Sequence, residues 1–125
     1  MARIRGKDTS PELAVRSMVH RLGFRFRLHQ ADLPGKPDLV FPRLGRVIFV
    51  NGCFWHGHRC REGQRVPKSN QEYWIPKIAA NRARDARIRR RLRWADWGVL
   101  VLWECQLIRP EVVRNRLQKF LSAPG

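Results

Sequence analysis

Acidic side chains are scarce in this 125-residue chain, in which 10 Asp and Glu stand against 26 Lys and Arg. The formal net charge is therefore +16. Long apolar runs are also missing, because no stretch reaches the ~20 residues of a membrane-spanning helix. Residues 1–20 lack the apolar core of a secretory signal peptide. These absences predict a soluble, intracellular protein with no membrane association.

Cysteine is scarce too, with only Cys53, Cys60 and Cys105. Three thiols cannot all pair as disulfides, and a chain without a secretory signal is expected in a reducing compartment, so metal binding is the better hypothesis for them. Hydrophobic residues make up 43% of the chain, which argues against a disordered basic tail. We expect a single domain, residues 1–125, with a basic N-terminal arm at 1–8.

The positive charge is carried mainly by arginine, whose planar fork matches phosphate geometry and favours nucleic acid as the partner. Seven arginines fall within residues 82–93. Arg3, Arg5 and Lys7 add a basic arm before the first helix. A solvated face explains any charge run, but this density favours contact with phosphates.

Hydrophobic periodicity predicts one α/β domain with the order α-β-β-β-α-β-α. Thr9 and Glu12 have the spacing of a capping box that opens the first helix, and Gly23 is a natural stop. The alternating pattern of 24–30 predicts a half-buried strand, and 99–103 is continuously apolar, as in a central strand covered on both faces. The other elements are expected as strands at 38–41 and 46–51, an irregular loop at 52–70, and helices at 71–95 and from 110. The first three strands suggest an antiparallel meander.

The segment that follows the third strand carries two thiols and two imidazoles within eight residues. Tetrahedral zinc needs four such donors, and Cys53, His58 and Cys60 supply three from one loop, with Cys105 as the expected fourth. Alternatively, the cysteines are small buried hydrophobes and the histidines surface groups. His56 is then in surplus, either as a general base, as a hydrogen-bond partner or as an ordinary loop residue.

A few carboxylates lie in unusual places. Asp38 begins a strand, where it either binds Mg²⁺ or forms a local Asx turn. Asn81 and Asp85 fall within an otherwise apolar helical stripe and need polar partners, although Asp85 alternatively pairs with a neighbouring arginine. Capping alone accounts for Glu12.

Three aromatic residues lie in or beside loops and outside regular core spacing: Phe54, Trp55 and Trp74. They either insert between DNA bases or pack around the zinc loop.

Five segments together resemble the very-short-patch repair (Vsr) mismatch endonucleases, and they occur in the order seen in that family. They are 3–9 (RIRGKDT), 33–38 (LPGKPD), 49–56 (FVNGCFWH), Asn81 with Arg84 and Asp85, and 103–105 (WEC). The resemblance implies a restriction-endonuclease-like PD-(D/E)xK fold, with a mixed sheet, helices on both faces and a zinc-stabilised loop. It also implies a cytoplasmic, nucleoid-associated bacterial enzyme that acts as a monomer.

By this resemblance, the protein nicks one strand of duplex DNA next to a T:G mismatch that arises by deamination of 5-methylcytosine. Mg²⁺ is expected on Asp38 and the backbone carbonyl of Val50. His56 resembles the general base and Asp85 the carboxylate that orients it. The remaining implied roles are outer-shell groups (Glu12, Asn81), zinc ligands (Cys53, His58, Cys60, Cys105) and aromatic wedges (Phe54, Trp55, Trp74). Mismatch-repair proteins and a cognate cytosine methyltransferase are the implied partners.

The chain departs from the family pattern at two places. Asn51 stands where some members carry a second active-site histidine, and an amide cannot donate a proton as an imidazolium does. The chain also begins just before the RIRGKDT segment, so a longer minor-groove arm is not expected. Two alternatives stay open: a nicking enzyme of the same fold with another, restriction- or defence-associated DNA target, and a non-catalytic zinc-stabilised DNA-binding module.

Overall fold

The structure is a computed structural model that describes residues 9–28, 30, 32–53 and 70–122. The elements are α1 (Ser10–Arg21), β1 (Arg27–Leu28), β2 (Leu39–Phe41), β3 (Arg46–Asn51), α2 (Gln71–Trp94), β4 (Gly98–Trp103), a short 3₁₀ helix (Glu104–Ile108) and α3 (Pro110–Ser122). The predicted order of helices and strands is confirmed, with the 3₁₀ helix added between β4 and α3.

The four strands form one mixed sheet in the order β1-β2-β3-β4. The pairs β1·β2 and β2·β3 are antiparallel, as the meander predicted, and β3·β4 is parallel. The parallel pair is joined by a connection that includes the long helix α2, as parallel strands require. β3 therefore lies inside the sheet, and polar groups at its end are held by neighbours on both sides.

Helices cover both faces of this sheet, as the sequence predicted. On one face α1 and α3 pack Val15, Val19, Val113, Leu117 and Leu121 against Leu39, Phe41, Ile48, Val50 and Leu102. On the other face Leu92 of α2 packs with Val40 and Val47, and Ile88 lies against the same cluster. Alternate residues of β2 and β3 thus serve opposite faces, as the two-residue period of a strand dictates.

The start of α1 follows from its capping chemistry. The Oγ1 atom of Thr9 accepts the backbone N–H of Glu12 at 3.4 Å, so Thr9 is the N-cap, and Pro11 lies in the first turn where a missing N–H costs little. The prediction that capping alone accounts for Glu12 is wrong. Glu12 is only 1% exposed, and its side chain turns towards Arg16 and Asp38.

Two strand predictions need correction. In place of a half-buried strand over 24–30, Arg27 and Leu28 are the only described residues of this segment that pair with β2, and both are exposed. β2 itself is short because Pro37 and Pro42 flank it, and proline has no N–H for a ladder. Phe26 nevertheless packs on the core, with its ring centroid 6.2 Å from that of Phe41.

β4 is also misplaced by the sequence prediction. It is an edge strand in the described part of the chain, paired with β3 alone, and not a central one. Its continuous apolar sequence reflects burial of both faces, because Leu102 packs with α1 and α3 while Val99 packs on the α2 side. In the described residues, no helix is long and apolar enough to cross a membrane.

Candidate active site

Asp38 directly precedes β2, and its carboxylate extends the sheet ladder. Atom Oδ2 accepts the backbone N–H of Val50 on β3 at 2.6 Å. The bond joins residues 12 apart in the chain, so it is not the local Asx turn considered as an alternative. Because this bond fixes the carboxylate against β3, the backbone of Val50 lies beside Asp38, as the proposed pair of Mg²⁺ ligands requires.

Glu12 approaches the same carboxylate from α1. Its side chain is hydrogen-bonded to Asp38 and forms an ion pair with Arg16 one turn further along the helix. The pKa of Asp38 is raised to about 7, first by burial and then by the adjacent charge of Glu12, although the Val50 N–H and Arg16 act in the opposite direction. Two carboxyl groups therefore share one partly buried site with one guanidinium.

Such a pair has the chemistry of a site for a hard cation. Two carboxyl groups in contact repel when both are ionised, and a divalent cation bound between oxygens relieves that repulsion. Asp38, Glu12 and the backbone of Val50 supply oxygen atoms only, which Mg²⁺ prefers. Within the described ranges, no three side chains of His, Cys, Asp or Glu gather as a metal site. The donor set fits Mg²⁺ that keeps several waters or binds phosphate oxygens.

The end of β3 carries Asn51 and, two residues later, Cys53. Asn51 is 8% exposed and pairs in register with Trp103 of β4. Cys53 is 1% exposed, and its Sγ accepts the backbone N–H of Cys105 at 3.4 Å. The two cysteines are not joined by a disulfide. The structure thus brings together two of the four predicted zinc ligands, which are 52 residues apart in the chain.

Asn81 and Asp85 lie on α2, and both are half-buried. They share the helix face of Ile88 and Leu92, which packs on the sheet. Trp74 lies in the first turns of α2, where its ring meets the Tyr73 ring edge-on with 4.7 Å between centroids. Lys77 places Nζ 5.5 Å from the centre of the Tyr73 ring. Trp74 therefore belongs to an aromatic and basic group at the start of α2.

Several predicted site residues lie outside the described residues. These are the proposed base His56, the proposed zinc ligands His58 and Cys60, the aromatics Phe54 and Trp55, and the basic residues Arg3, Arg5 and Lys7.

Sequence reasoning missed Arg16, whose guanidinium forms the ion pair with Glu12. The available signal was the i,i+4 spacing of Glu12 and Arg16, which places oppositely charged residues together on a helix. That spacing is common on solvated helices, so it did not distinguish a buried pair.

Comparisons with known proteins identify the family of this chain. The family model described as DNA mismatch endonuclease Vsr matches residues 1–62. The chain is 54% identical to the type II nicking enzyme V.XorIIP of Xanthomonas oryzae pv. oryzae over 98% of this chain and 89% of that protein. It is 38% identical to the DNA mismatch endonuclease Vsr of Escherichia coli, over 100% of this chain and 83% of that protein.

A structural comparison gives the same fold. The catalytic domain of the homing endonuclease I-Bth0305I superposes with a TM-score of 0.62 at 18% identity, covering 90% of this chain and 94% of that one. That similarity shows the fold alone, whereas the sequence relatives show the family. The chain belongs to the Vsr family of DNA endonucleases.

Proposed function

We propose that this protein is a Mg²⁺-dependent endonuclease that nicks one strand of duplex DNA beside a T:G mismatch produced by deamination of 5-methylcytosine. The observation that carries the catalytic part is the Asp38 carboxyl, held by the Val50 N–H at 2.6 Å and lying against Glu12. The mismatch target is supported by similarity to the Escherichia coli enzyme named for it.

In this proposal, water attacks the phosphorus atom and the bond to the 3′ oxygen breaks, which leaves a 5′-phosphate and a 3′-hydroxyl. His56 accepts the proton of the attacking water, and Asp85 orients His56. Asp38 and the Val50 carbonyl would hold Mg²⁺, and Glu12 and Asn81 would position waters beside it. When bound, Mg²⁺ would supply Lewis-acid stabilisation of the phosphoryl oxygens. Asn51 cannot serve as an acid, so the proton on the leaving oxygen comes from solvent water.

The proposed zinc site holds the loop after β3 through Cys53, His58, Cys60 and Cys105. It is supported by the N–H···S bond from Cys105 to Cys53, because thiolates that bind zinc commonly accept such bonds. Phe54, Trp55 and Trp74 insert beside the mismatch, and Arg3, Arg5 and Lys7 contact phosphates. Mismatch-repair proteins and a cytosine methyltransferase are the proposed partners.

The experiment compares nicking of two end-labelled duplexes that differ only in one T:G or C:G pair, with purified protein and Mg²⁺. We expect the T:G duplex to be nicked at least about 100-fold faster, since pairing energy opposes distortion of a matched site. Equal rates on both duplexes would contradict the mismatch target and favour a nicking enzyme with another target.

The catalytic assignment is tested by Asp38→Ala, which should lower the nicking rate by about three orders of magnitude or more. Asp32→Ala is the matched control, because Asp32 is an exposed carboxylate in the turn before β2. If Asp38→Ala and His56→Ala both nick at the rate of the unchanged protein, the active-site assignment is wrong. Binding without nicking of either duplex would favour the non-catalytic module.

A further inference from the structure

An open groove lies along the C-terminal half of α2, beside the turn that precedes β2. Its volume is about 590 Å³, and the residues that line it are Pro34, Arg87, Arg90, Arg91, Trp94 and Ala95. None of these is among the residues of the proposed active site. The groove is therefore a second surface whose composition needs its own explanation.

The arginines and Trp94 of the groove lie outside the helix face that packs on the sheet, and all four are exposed. Ile88 and Leu92 face the sheet and pack on Val40 and Val47. Arg87, Arg91 and Trp94 follow at i+4 and i+3 steps, so they form one continuous exposed strip along the helix. The packing of the core thus does not require any of these three side chains.

Trp94 is the most unusual residue of this face, because 90% of its surface is exposed. Tryptophan carries the largest side chain, and on average it is highly buried in folded proteins. Leaving its ring in water forfeits the favourable burial of a large apolar surface. An exposed ring beside a groove is the arrangement expected of a contact for a ligand.

The charge of the groove has one sign. Of its six lining residues in the described part of the chain, three are arginines and none is acidic. Arg91 also lies in the last turn of α2, where a cation is favoured by the helix dipole. That effect fades within one turn, so it does not account for Arg87, and it has no bearing on a neutral indole. Arginine forks beside a flat aromatic ring match a phosphate beside a flat, apolar group.

We propose that this groove binds an unpaired nucleotide of a DNA strand, with the arginines on its phosphates and Trp94 stacked on its base. Bases inside a duplex are already stacked on both faces, whereas an unpaired base offers a free face to an aromatic ring. Trp94 lies nine residues beyond Asp85, which is about 14 Å along the helix axis. The groove therefore contacts a strand outside the reacting phosphate, and the proposal goes beyond the nicking activity.

The test measures binding of a fluorescently labelled short oligothymidylate to the full chain by anisotropy, in buffer without Mg²⁺. Trp94→Ala should weaken binding roughly tenfold, and Trp94→Phe should restore most of the affinity because its ring still stacks. Arg90→Ala should lower the slope of log affinity against log salt by about 0.7, the value for one contact to single-stranded phosphate.

Two control variants match these changes on the opposite side of the sheet. Ile108→Ala removes a large side chain that is 82% exposed, and Arg114→Ala removes an exposed arginine of α3. Both should leave the affinity for oligothymidylate within about twofold.

Three outcomes would overturn the proposal. Unchanged affinity in Trp94→Ala would exclude base stacking. An equal loss of affinity for a matched duplex would show that the groove binds the duplex backbone. If no groove variant changes DNA binding, the exposed face contacts another protein instead. Loss of nicking in Asp38→Ala with oligothymidylate binding intact separates this site from the proposed active site.

Discussion

At the level of single residues, the pairing of Asp38 with Glu12 is the feature with the clearest chemical consequence. Burial of a carboxylate is costly unless the charge is balanced, and here two carboxyl groups share one guanidinium, that of Arg16. Such a site holds either a proton or a cation to restore the balance. The pKa of Asp38, raised to about 7, means that this carboxyl group binds a proton more readily than an ordinary aspartate does.

The stability of the Mg²⁺-free protein should therefore depend on the ionisation of Asp38. Its pKa in the folded protein is about 7, above the ~3.9 of an unfolded aspartate. Between these two values the folded state retains a proton that the unfolded state has lost, so the free energy of unfolding falls as pH rises. We expect a total loss of roughly 3 kcal/mol between pH ~4 and ~8, measured by urea denaturation.

Asp38→Asn is the informative variant, because an amide keeps the Val50 hydrogen bond and does not titrate. It should be more stable than the unchanged protein at pH ~8 and show a flatter pH profile. Glu12→Gln should lower the pKa of Asp38 by removing the adjacent charge. Asp32→Asn, at an exposed position, should change neither the pKa of Asp38 nor the pH profile of stability. The opposite result would be a free energy of unfolding that rises with pH over this range in the unchanged protein and stays constant in Asp38→Asn. That result would show that folding lowers the pKa of Asp38 instead of raising it.

At the level of elements, the turn before β2 is held against α2 by the absence of a side chain at Gly35. A Cβ atom built on Gly35 would lie 2.6 Å from Cγ2 of Ile88, and the φ of Gly35 is +75°, which disfavours any side chain. Gly35→Ala should therefore destabilise the protein by about 2–4 kcal/mol, through overpacking and a left-handed backbone. Thermal or urea unfolding measures this change.

Gly45→Ala is the matched control for backbone conformation alone. Gly45 also has a positive φ, +66°, but a Cβ atom there would meet no atom within 4 Å. Gly45→Ala should lower the free energy of unfolding by only about 1–2 kcal/mol. Equal losses of unfolding free energy in Gly35→Ala and Gly45→Ala would show that the Ile88 side chain moves aside at little cost. Gly35→Ala should also slow nicking, because the same turn leads into Asp38.

Local signals predicted most of the elements, and their failures have identifiable causes. The bounds of β3 and the N-cap Thr9 follow from an apolar run and from side-chain capping, which act over a few residues. The sequence predicts a central position for β4 because an apolar run reports burial of the strand's faces and not hydrogen bonding at its edges. The sequence predicts too long a β1 because the length of β1 depends on the prolines that flank its partner β2.

In the candidate site, too, local signals predict some features and contacts between distant segments determine the others. Asp38 was identified from its place at the start of a strand and from the family resemblance, and the structure brings Glu12 and Val50 to it. Residue reasoning alone assigned Glu12 to capping, since nothing in the spacing of α1 shows what its first turn faces. The contact between Cys53 and Cys105 likewise depends on the parallel register of β3 and β4.

At the level of the whole molecule, the lysines and arginines of the described residues lie outside the buried core, with the exception of Arg46. Arg46 is 8% exposed, its Nη1 donates to the Leu121 carbonyl at 3.5 Å, and its Cζ lies 5.8 Å from the centre of the Phe120 ring. A net charge of +16 on 14.8 kDa repels itself and lowers the stability of the folded state. Binding of metal ions that crosslink distant segments offsets such repulsion.

The proposed zinc should therefore contribute a large share of the stability. It would tie the end of β3 to the 3₁₀ helix, and structural zinc contributes on the order of 10 kcal/mol. We expect elemental analysis to find about one zinc per chain. Cys105→Ala should lose the zinc and lower the Tm by more than about 10 °C.

Val99→Ala provides the comparison, because it truncates a half-buried side chain of β4 without removing a ligand. It should retain zinc and cost only about 1 kcal/mol, since part of the side chain is already in water. A zinc chelator should lower the Tm of Val99→Ala and of the unchanged protein but leave Cys105→Ala unaffected, because that variant has no zinc to lose. A zinc content well below one per chain, or a Tm in Cys105→Ala equal to that of Val99→Ala, would refute the ligand set and assign Cys53 and Cys105 to packing alone.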